Sequence, residues 1–278
     1  MNNLLFGVAC VDNYTVTGIR RPGCGILHNA FHLQQLGSRP LLLTRVGAAD
    51  AGLFRDFFRR NQISVLDELL VGDGPSASID IAVQPSGEAL ISNFVLGVWN
   101  NFRLHPAEEA QLAQADHLHT VLARGVPPEF LRASRAGLLQ NALVSADFLS
   151  FRGFTPQSFA ELLAWLDVAF IGWKGDPAHP TLTAVRQAAA RQRALVVVTL
   201  GERGVLLFDG RAGTAQTSLI PVDAVPVRHN TNGCGDAFIG YFLHEYWRSR
   251  NLEAAIERGK TGGALATNWP HALPGEAY

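Results

Sequence analysis

Three cysteines in 278 residues, Cys10, Cys24 and Cys234, are too few for a disulfide framework and lack the paired C-x-x-C spacing of a structural zinc site. A reducing, cytoplasmic setting is therefore expected. Charge is scarce as well. Only 17% of residues are Asp, Glu, Lys or Arg and the formal net charge is −1, so no basic excess exists to release counterions from a phosphate backbone. Nucleic acid is not an expected partner. Charges interrupt every apolar stretch before it reaches the ~20 residues of a membrane span, and the opening MNNLLFGVACVDNY has no basic n-region. A soluble protein with no membrane partner is expected. Repeats, low-complexity tracts and obvious linkers are missing too. Hydrophobic residues are plentiful at 47%, enough for a large core, and one α/β domain over residues 1–278 is the expected organisation.

Short apolar runs alternate with longer amphipathic stretches. Leu4–Val8 and Pro40–Thr44 read as strands, with helices over His28–Leu36 and Gly52–Arg60, a βαβα opening. Strand patterns recur at His117–Val121, Leu143–Phe148, Val168–Ile171 and Leu195–Thr199, separated by helical patterns at Pro106–Ala115, Gln157–Trp165 and Pro180–Arg193. This order predicts a mostly parallel sheet flanked by helices. Ser76–Gln84 and Ala89–Phe94 break the rhythm: both are β-rich, with Pro85-Ser86-Gly87 as turn chemistry between them. They predict a β-hairpin inserted around residues 73–98, either a small lid over the site or an extra antiparallel edge. Val205–Phe208 and Thr214–Leu219 predict a further antiparallel edge, and helical patterns over Cys234–Arg248 and from Leu252 to about Asn268 close the chain.

The stretch Asn230-Thr231-Asn232-Gly233-Cys234-Gly235-Asp236-Ala237-Phe238 is a glycine-rich turn running into an amphipathic helix. Unpaired N–H groups in a first helical turn, together with the positive end of the helix dipole, favour a phosphate or an oxyanion. Asp236 beside such a site either complements the helix start or accepts a proton from an attacking hydroxyl. The stretch resembles the C-terminal signature of the ribokinase (PfkB) sugar-kinase family, approximately Asp-Thr-x-Gly-Ala-Gly-Asp-x-Phe. The resemblance implies a ribokinase-like fold, ATP and Mg²⁺ as phosphoryl donor and metal, an anion hole at Gly233, Cys234 and Gly235, and Asp236 as catalytic base. Phosphoryl transfer needs little beyond positioning and charge stabilisation, which backbone amides and one base supply.

The strand Val196–Thr199 running into Leu200-Gly201-Glu202-Arg203-Gly204 is similar to the family's Thr-x-Gly-x-x-Gly, and implies nucleotide contacts from Thr199, Gly201, Glu202 and Gly204, with Asn230 nearby. Pro22-Gly23-Cys24-Gly25, Leu36-Gly37 and Arg45-Val46-Gly47 with Asp50 and Gly52 fall where the family places its first signature, so the resemblance spans nearly the whole chain. Substrate contacts are implied for Asp12, Gly23, Gly25, His28 and His119. A carboxylate such as Asp12 can accept two sugar hydroxyls. The patterns around Asp12, His119 and Ala146-Asp147-Phe148 look most like the fructosamine branch, which includes fructoselysine 6-kinase.

Several positions depart from the family pattern. A glycine has become Cys24 and a substrate-contacting asparagine has become His28. Asn230 replaces an aspartate that lies near a monovalent-cation site, which bears on a possible K⁺ requirement. In place of the Asn-x-x-Glu that orders water around Mg²⁺ stands Gly172-Trp173-Lys174-Gly175-Asp176, where Asp176 serves either the metal or a turn. Cys234 occupies an alanine position and reads as a small filler. His117 and His119 share a strand face without a third metal partner in sight. The expected function is phosphoryl transfer to a hydroxyl of a sugar-like small molecule. A nucleoside kinase of the same fold and a noncatalytic sugar- or nucleotide-binding protein are the alternatives. The resemblance also implies a homodimer through the lid.

Overall fold

A computed structural model describes all residues 1–278. The chain runs β1 (Asn3–Phe6), β2 (Cys10–Tyr14), β3 (Ile19–Gly23), α1 (Gly25–Gln35), β4 (Leu41–Leu43), β5 (Val46–Gly47), α2 (Ala51–Arg60), β6 (Ser64–Val65), α3 (Asp67–Leu70), β7 (Val71–Gly72), β8 (Ala77–Val83), β9 (Ala89–Val95) and α4 (Pro106–Ala113). It continues through β10 (His117–Val121), α5 (Val126–Arg135), β11 (Leu143–Asp147), α6 (Pro156–Leu163), β12 (Val168–Gly172), α7 (Pro180–Gln192), β13 (Leu195–Thr199), β14 (Val205–Asp209), β15 (Gln216–Ile220), α8 (Cys234–Ser249) and α9 (Leu252–Ala266). No helix is long and apolar enough to cross a membrane. Two compact units are formed, residues 109–224 with Met1, and residues 2–108 with 225–278.

In the unit of residues 109–224 the strand order is β15-β14-β13-β12-β11-β10, parallel from β10 to β13 and antiparallel from β13 to β15. Leu195–Val198 are fully buried, as expected of a parallel strand covered on both faces. Its helices have legible boundaries: α6 opens with a reciprocal Thr155–Ser158 capping box, and α7 opens at Pro180 and stops at left-handed Arg193. Helix α5 begins at Val126 after left-handed Gly125, with Pro127-Pro128 in its first turn, where prolines fit.

The other unit carries β1, β4 and β6 in a parallel group, and a four-stranded sheet ordered β3-β2-β8-β9. The inserted hairpin is thus half of a larger lid: β8 and β9 pair antiparallel, β2 joins β8 in parallel, and β3 pairs antiparallel with β2. Asp12-Asn13 and Arg20-Arg21-Pro22 interrupt the apolar alternation that marks a strand, which hides β2 and β3 in the sequence. The first-signature motif anchors this sheet. Gly47 N–H donates to Ser76 Oγ at 2.8 Å, and Arg45 makes a two-point ion pair with buried Glu108 at 2.6 and 2.7 Å. Helices α1, α8 and α9 pack together. A Cβ at Gly240 would lie 2.7 Å from His32 Cβ, so the missing side chain lets α1 approach α8 closely.

Candidate active site

The close approach of α1 and α8 brings together residues from the two ends of the sequence. Gly233, the N-cap of α8, has φ +80°, and a Cβ there would lie 2.5 Å from the Ala272 carbonyl oxygen, so only glycine is accommodated. Gly235 has the opposite surroundings: a Cβ would meet nothing within 4 Å, so the first turn of α8 faces open space. First-turn N–H groups without intrahelical acceptors beside an open space form an anion site. Cys234 does not add a thiolate to it. Burial and then the nearby Asp236 charge push its thiol up to about 12, leaving a neutral filler.

Asp236 lies one residue further along α8, with its side chain 17% exposed. Its Oδ2 is 2.7 Å from Nδ1 of His28, one turn before His32 on α1. The imidazole is almost completely buried, and its Nε2 lies 3.7 Å from Oδ2 of Asp12. Asp12 belongs to β2. Its Oδ1 accepts from Cys24 N–H at 3.2 Å and from the Cys10 thiol at 3.3 Å, while Oδ2 has no hydrogen-bond partner. Burial, with a smaller contribution from nearby Asp236, raises the Asp12 carboxyl to about 6 against the opposing effects of His28, Cys10 and Cys24. For His28, burial opposes the charge, but the hydrogen bond and charge of Asp236 and the charge of Asp12 prevail and raise its pKa. His32 is lowered to about 3 by burial and then by the charge of His28, with Asp236 opposing.

Asn230 is committed to structure: its Nδ2 donates to the Trp269 carbonyl at 2.9 Å and its Oδ1 accepts from Asn232 N–H at 2.7 Å. The lid reaches this loop twice. Thr231 N–H donates to the carbonyl of Gly87, in the hairpin turn, at 2.9 Å. The Tyr14 hydroxyl on β2 accepts from Asn232 Nδ2 and from Ala272 N–H, both at 3.1 Å. Beyond the loop lies a cleft of about 350 Å³ between residues 225–228 and the end of α9, lined by Val225, Pro226, Arg228, Leu265, Thr267 and Asn268. Arg228 and His229 N–H both donate to the Thr267 carbonyl, at 3.1 and 3.2 Å, which ties its walls together.

Asp12, Gly23, Gly25, His28, Asn230 and Gly233–Asp236 therefore share one unit. The remaining candidates lie in the other unit. Thr199 ends β13, with its Oγ1 3.4 Å from the Ile171 carbonyl. Gly201, Glu202 and Gly204 form the turn to β14, closed by Leu200 N–H donating to the Gly204 carbonyl at 2.9 Å. Glu202 is exposed. His119 is the central residue of β10; it is fully buried, 3.0 Å from Ser145 Oγ and edge-on to Phe170. Asp176 is exposed and accepts from Ala178 N–H at 2.8 Å, a turn-forming bond. Sequence patterns did not point to Tyr14, Asn232, Gly87 or the cleft residues. Gly87 carried a turn signal only, and the others act through contacts that no local pattern encodes.

Residues 29–272 match the description "pfkB family carbohydrate kinase". Fructoselysine 6-kinase from Escherichia coli (strain K12) is 27% identical over 255 residues, covering 91% of this chain and 92% of that one. Among solved structures, adenosine kinase from Sinorhizobium meliloti superposes with a TM-score of 0.79 at 20% identity, over 99% of this chain and 97% of that one. Ribokinase from Thermotoga maritima gives a TM-score of 0.77 at 18% identity, over 98% and 94% of the two chains.

Proposed function

This chain belongs to the pfkB family of carbohydrate kinases, ATP-dependent phosphotransferases with the α/β ribokinase-like fold, and within that family we propose that it phosphorylates a hydroxyl of a sugar derivative with Asp236 as general base. The observation that carries this reading is the placement of Asp236 on the first turn of α8, beside the open space over Gly235 and linked through His28 to Asp12. Asp236 takes the proton of the attacking hydroxyl, its oxygen bonds to the γ-phosphorus as the bond to ADP breaks, and the first-turn amides of α8 stabilise the charge on the moving group. Asp12 orients the acceptor by accepting from its hydroxyls. The cleft at Val225, Pro226 and Leu265 suits the flat apolar base of the nucleotide.

The acceptor class we favour is a fructosamine, on the strength of the similarity to fructoselysine 6-kinase over 91% of the chain. Kinases of this family use ATP with Mg²⁺, which supplies charge neutralisation on the phosphates. Asp176 does not fit a built metal site: its carboxylate is engaged in its own turn, and no cluster of three or more His, Cys, Asp or Glu side chains surrounds it. No step is assigned to it. A lid-to-lid dimer is likewise proposed, supported by Leu90, Ile91 and Val95 of β9, which are 48%, 60% and 51% exposed; a monomer in sedimentation would exclude it. The test of the activity is ATP turnover across fructosamines, ketohexoses, pentoses and nucleosides, where acceptor-dependent ADP release strongest with a fructosamine is expected and preference for a nucleoside overturns the acceptor assignment.

A further inference from the structure

His28 stands between the two carboxylates that the proposed reaction uses, and its two ring nitrogens have different partners. An ionised Asp236 can only accept, so at 2.7 Å the Nδ1 of His28 carries the proton and donates to Oδ2. With Oδ2 engaged by His28, Oδ1 of Asp236 is the oxygen left for an acceptor hydroxyl. On the other side of the ring, Nε2 faces Asp12 Oδ2 at 3.7 Å, and neither atom has a hydrogen-bond partner although both are buried. A bare ring nitrogen facing a bare carboxylate oxygen places two lone pairs together in a low-dielectric site, which is costly until a proton or a hydroxyl enters between them.

We propose that His28 is a positioning residue for the base: its Nδ1 fixes Asp236 so that Oδ1 meets the acceptor hydroxyl, and its Nε2 and Asp12 Oδ2, too far apart at 3.7 Å for a direct hydrogen bond, together hold one proton that passes to bulk water when the incoming acceptor hydroxyl takes its place. This deepens, and rests on, the reading of Asp236 as base and Asp12 as acceptor anchor. The raised pKa values of His28 and Asp12, reached against burial for the imidazole and through it for the carboxyl, are those of a pair that retains a proton. Other groups facing the pair leave that proton where it is. On β2 the Cys10 thiol is raised well above its usual value, on α8 the Cys234 thiol is raised to about 12, and on α1 His32 is lowered to about 3, so all three are neutral. Cys24 at the start of α1 meets Asp12 through its backbone N–H. The charge of Arg21 on β3 acts on Tyr14 and Tyr278. An asparagine at position 28 can donate to Asp236 but cannot hold the second proton.

Two measurements test this. The first follows the nine imidazoles by NMR against pH, with the His28 resonance identified by its loss in H28N. His28 is expected to titrate above the usual imidazole value and to move to lower pH in both D236N and D12N. An unchanged transition in D236N overturns the coupling, and this readout needs no turnover. The second compares pH profiles of the wild type and H28N with the acceptor varied. An acid limb of kcat/KM at the His28 transition is expected in the wild type and absent in H28N, which keeps a donor to Asp236, whereas H28A, which removes that donor, lowers kcat on the order of 10- to 100-fold as the base loses its alignment. A limb unmoved in H28N, or a change in H28A confined to the acceptor KM, overturns the positioning role. Absence of any acceptor-dependent turnover in the wild type would instead tell against the kinase reading, and the imidazole titration would still decide the coupling.

Discussion

Gly23→Ala tests the acceptor anchor without touching its carboxylate. β2 and β3 are paired so that Gly23 lies opposite Cys10, two residues from Asp12, and a Cβ at Gly23 would overlap the carboxyl carbon and both oxygens of Asp12, well inside the 3.0 Å that real Cβ atoms respect. The carboxylate must swing away, losing the Cys24 N–H bond at 3.2 Å, the Cys10 thiol at 3.3 Å and its place opposite His28. Hydrogen bonds to a charged group are worth about 1.5–3 kcal/mol, so losing one acceptor hydroxyl contact raises the acceptor KM roughly 10- to 150-fold. The KM for ATP is expected to hold, because Gly233–Asp236 are untouched. The assay is steady-state kinetics with acceptor and ATP varied separately, alongside D12N and the double variant. If displacement of Asp12 is the whole effect, the double variant is no worse than D12N alone. An unchanged acceptor KM in G23A, or an equal rise in the ATP KM, would refute the reasoning.

Cys24 has φ 76° and ψ 149°, a region that costs a non-glycine residue about 1–3 kcal/mol, whereas glycine loses about 0.5–1 kcal/mol in chain entropy; C24G should gain up to about 2 kcal/mol in denaturant unfolding, and a loss would contradict the strain. Asp12 titrates near 6 when folded against an ordinary 3.8, so the folded chain binds the extra proton, and stability from this residue is full below about pH 4 and lost as pH rises through 6. Relative to wild type, D12N should therefore gain stability between pH 4 and 7, by up to about 3 kcal/mol, while losing acceptor affinity, and a gap that does not widen with pH counts against the burial cost. R45A leaves buried Glu108 without its cation and should cost about 3–5 kcal/mol, measured by urea unfolding. With its side chain committed to Trp269 and Asn232 and no charge of its own, Asn230 offers a monovalent cation little, so turnover should persist when K⁺ is replaced.

The elements with strong period were legible from residues alone. His117–Val121 and Leu195–Thr199 form strands with the expected bounds; in the second, a continuous apolar and β-branched run leaves few alternatives. The α8 signature was legible because its glycines and aspartate are contiguous. The His28 link to Asp236 was not, since the partners lie 208 residues apart and meet only because Gly240 admits α1 against α8. The resemblance placed His28 among substrate contacts, as a replaced asparagine; the structure adds that its ring touches Asp236. The lid was half legible: β8 and β9 show strand chemistry, whereas β2 and β3 carry polar residues, among them Asp12, which faces His28, in a segment whose Tyr14 hydroxyl meets Asn232 and Ala272. Contacts made across the fold thus took the place of the alternation by which those strands would have been found.

The central claim is that Asp236 takes the proton in acceptor phosphorylation. The most direct measurement is Mg²⁺-dependent ADP release with the acceptor panel for wild type and D236N, with nucleotide affinity measured on the same preparations. Acceptor-dependent turnover in the wild type that falls by at least ~10²–10⁴-fold in D236N, with nucleotide affinity retained, is the predicted result. Turnover in D236N near the wild-type rate would contradict it.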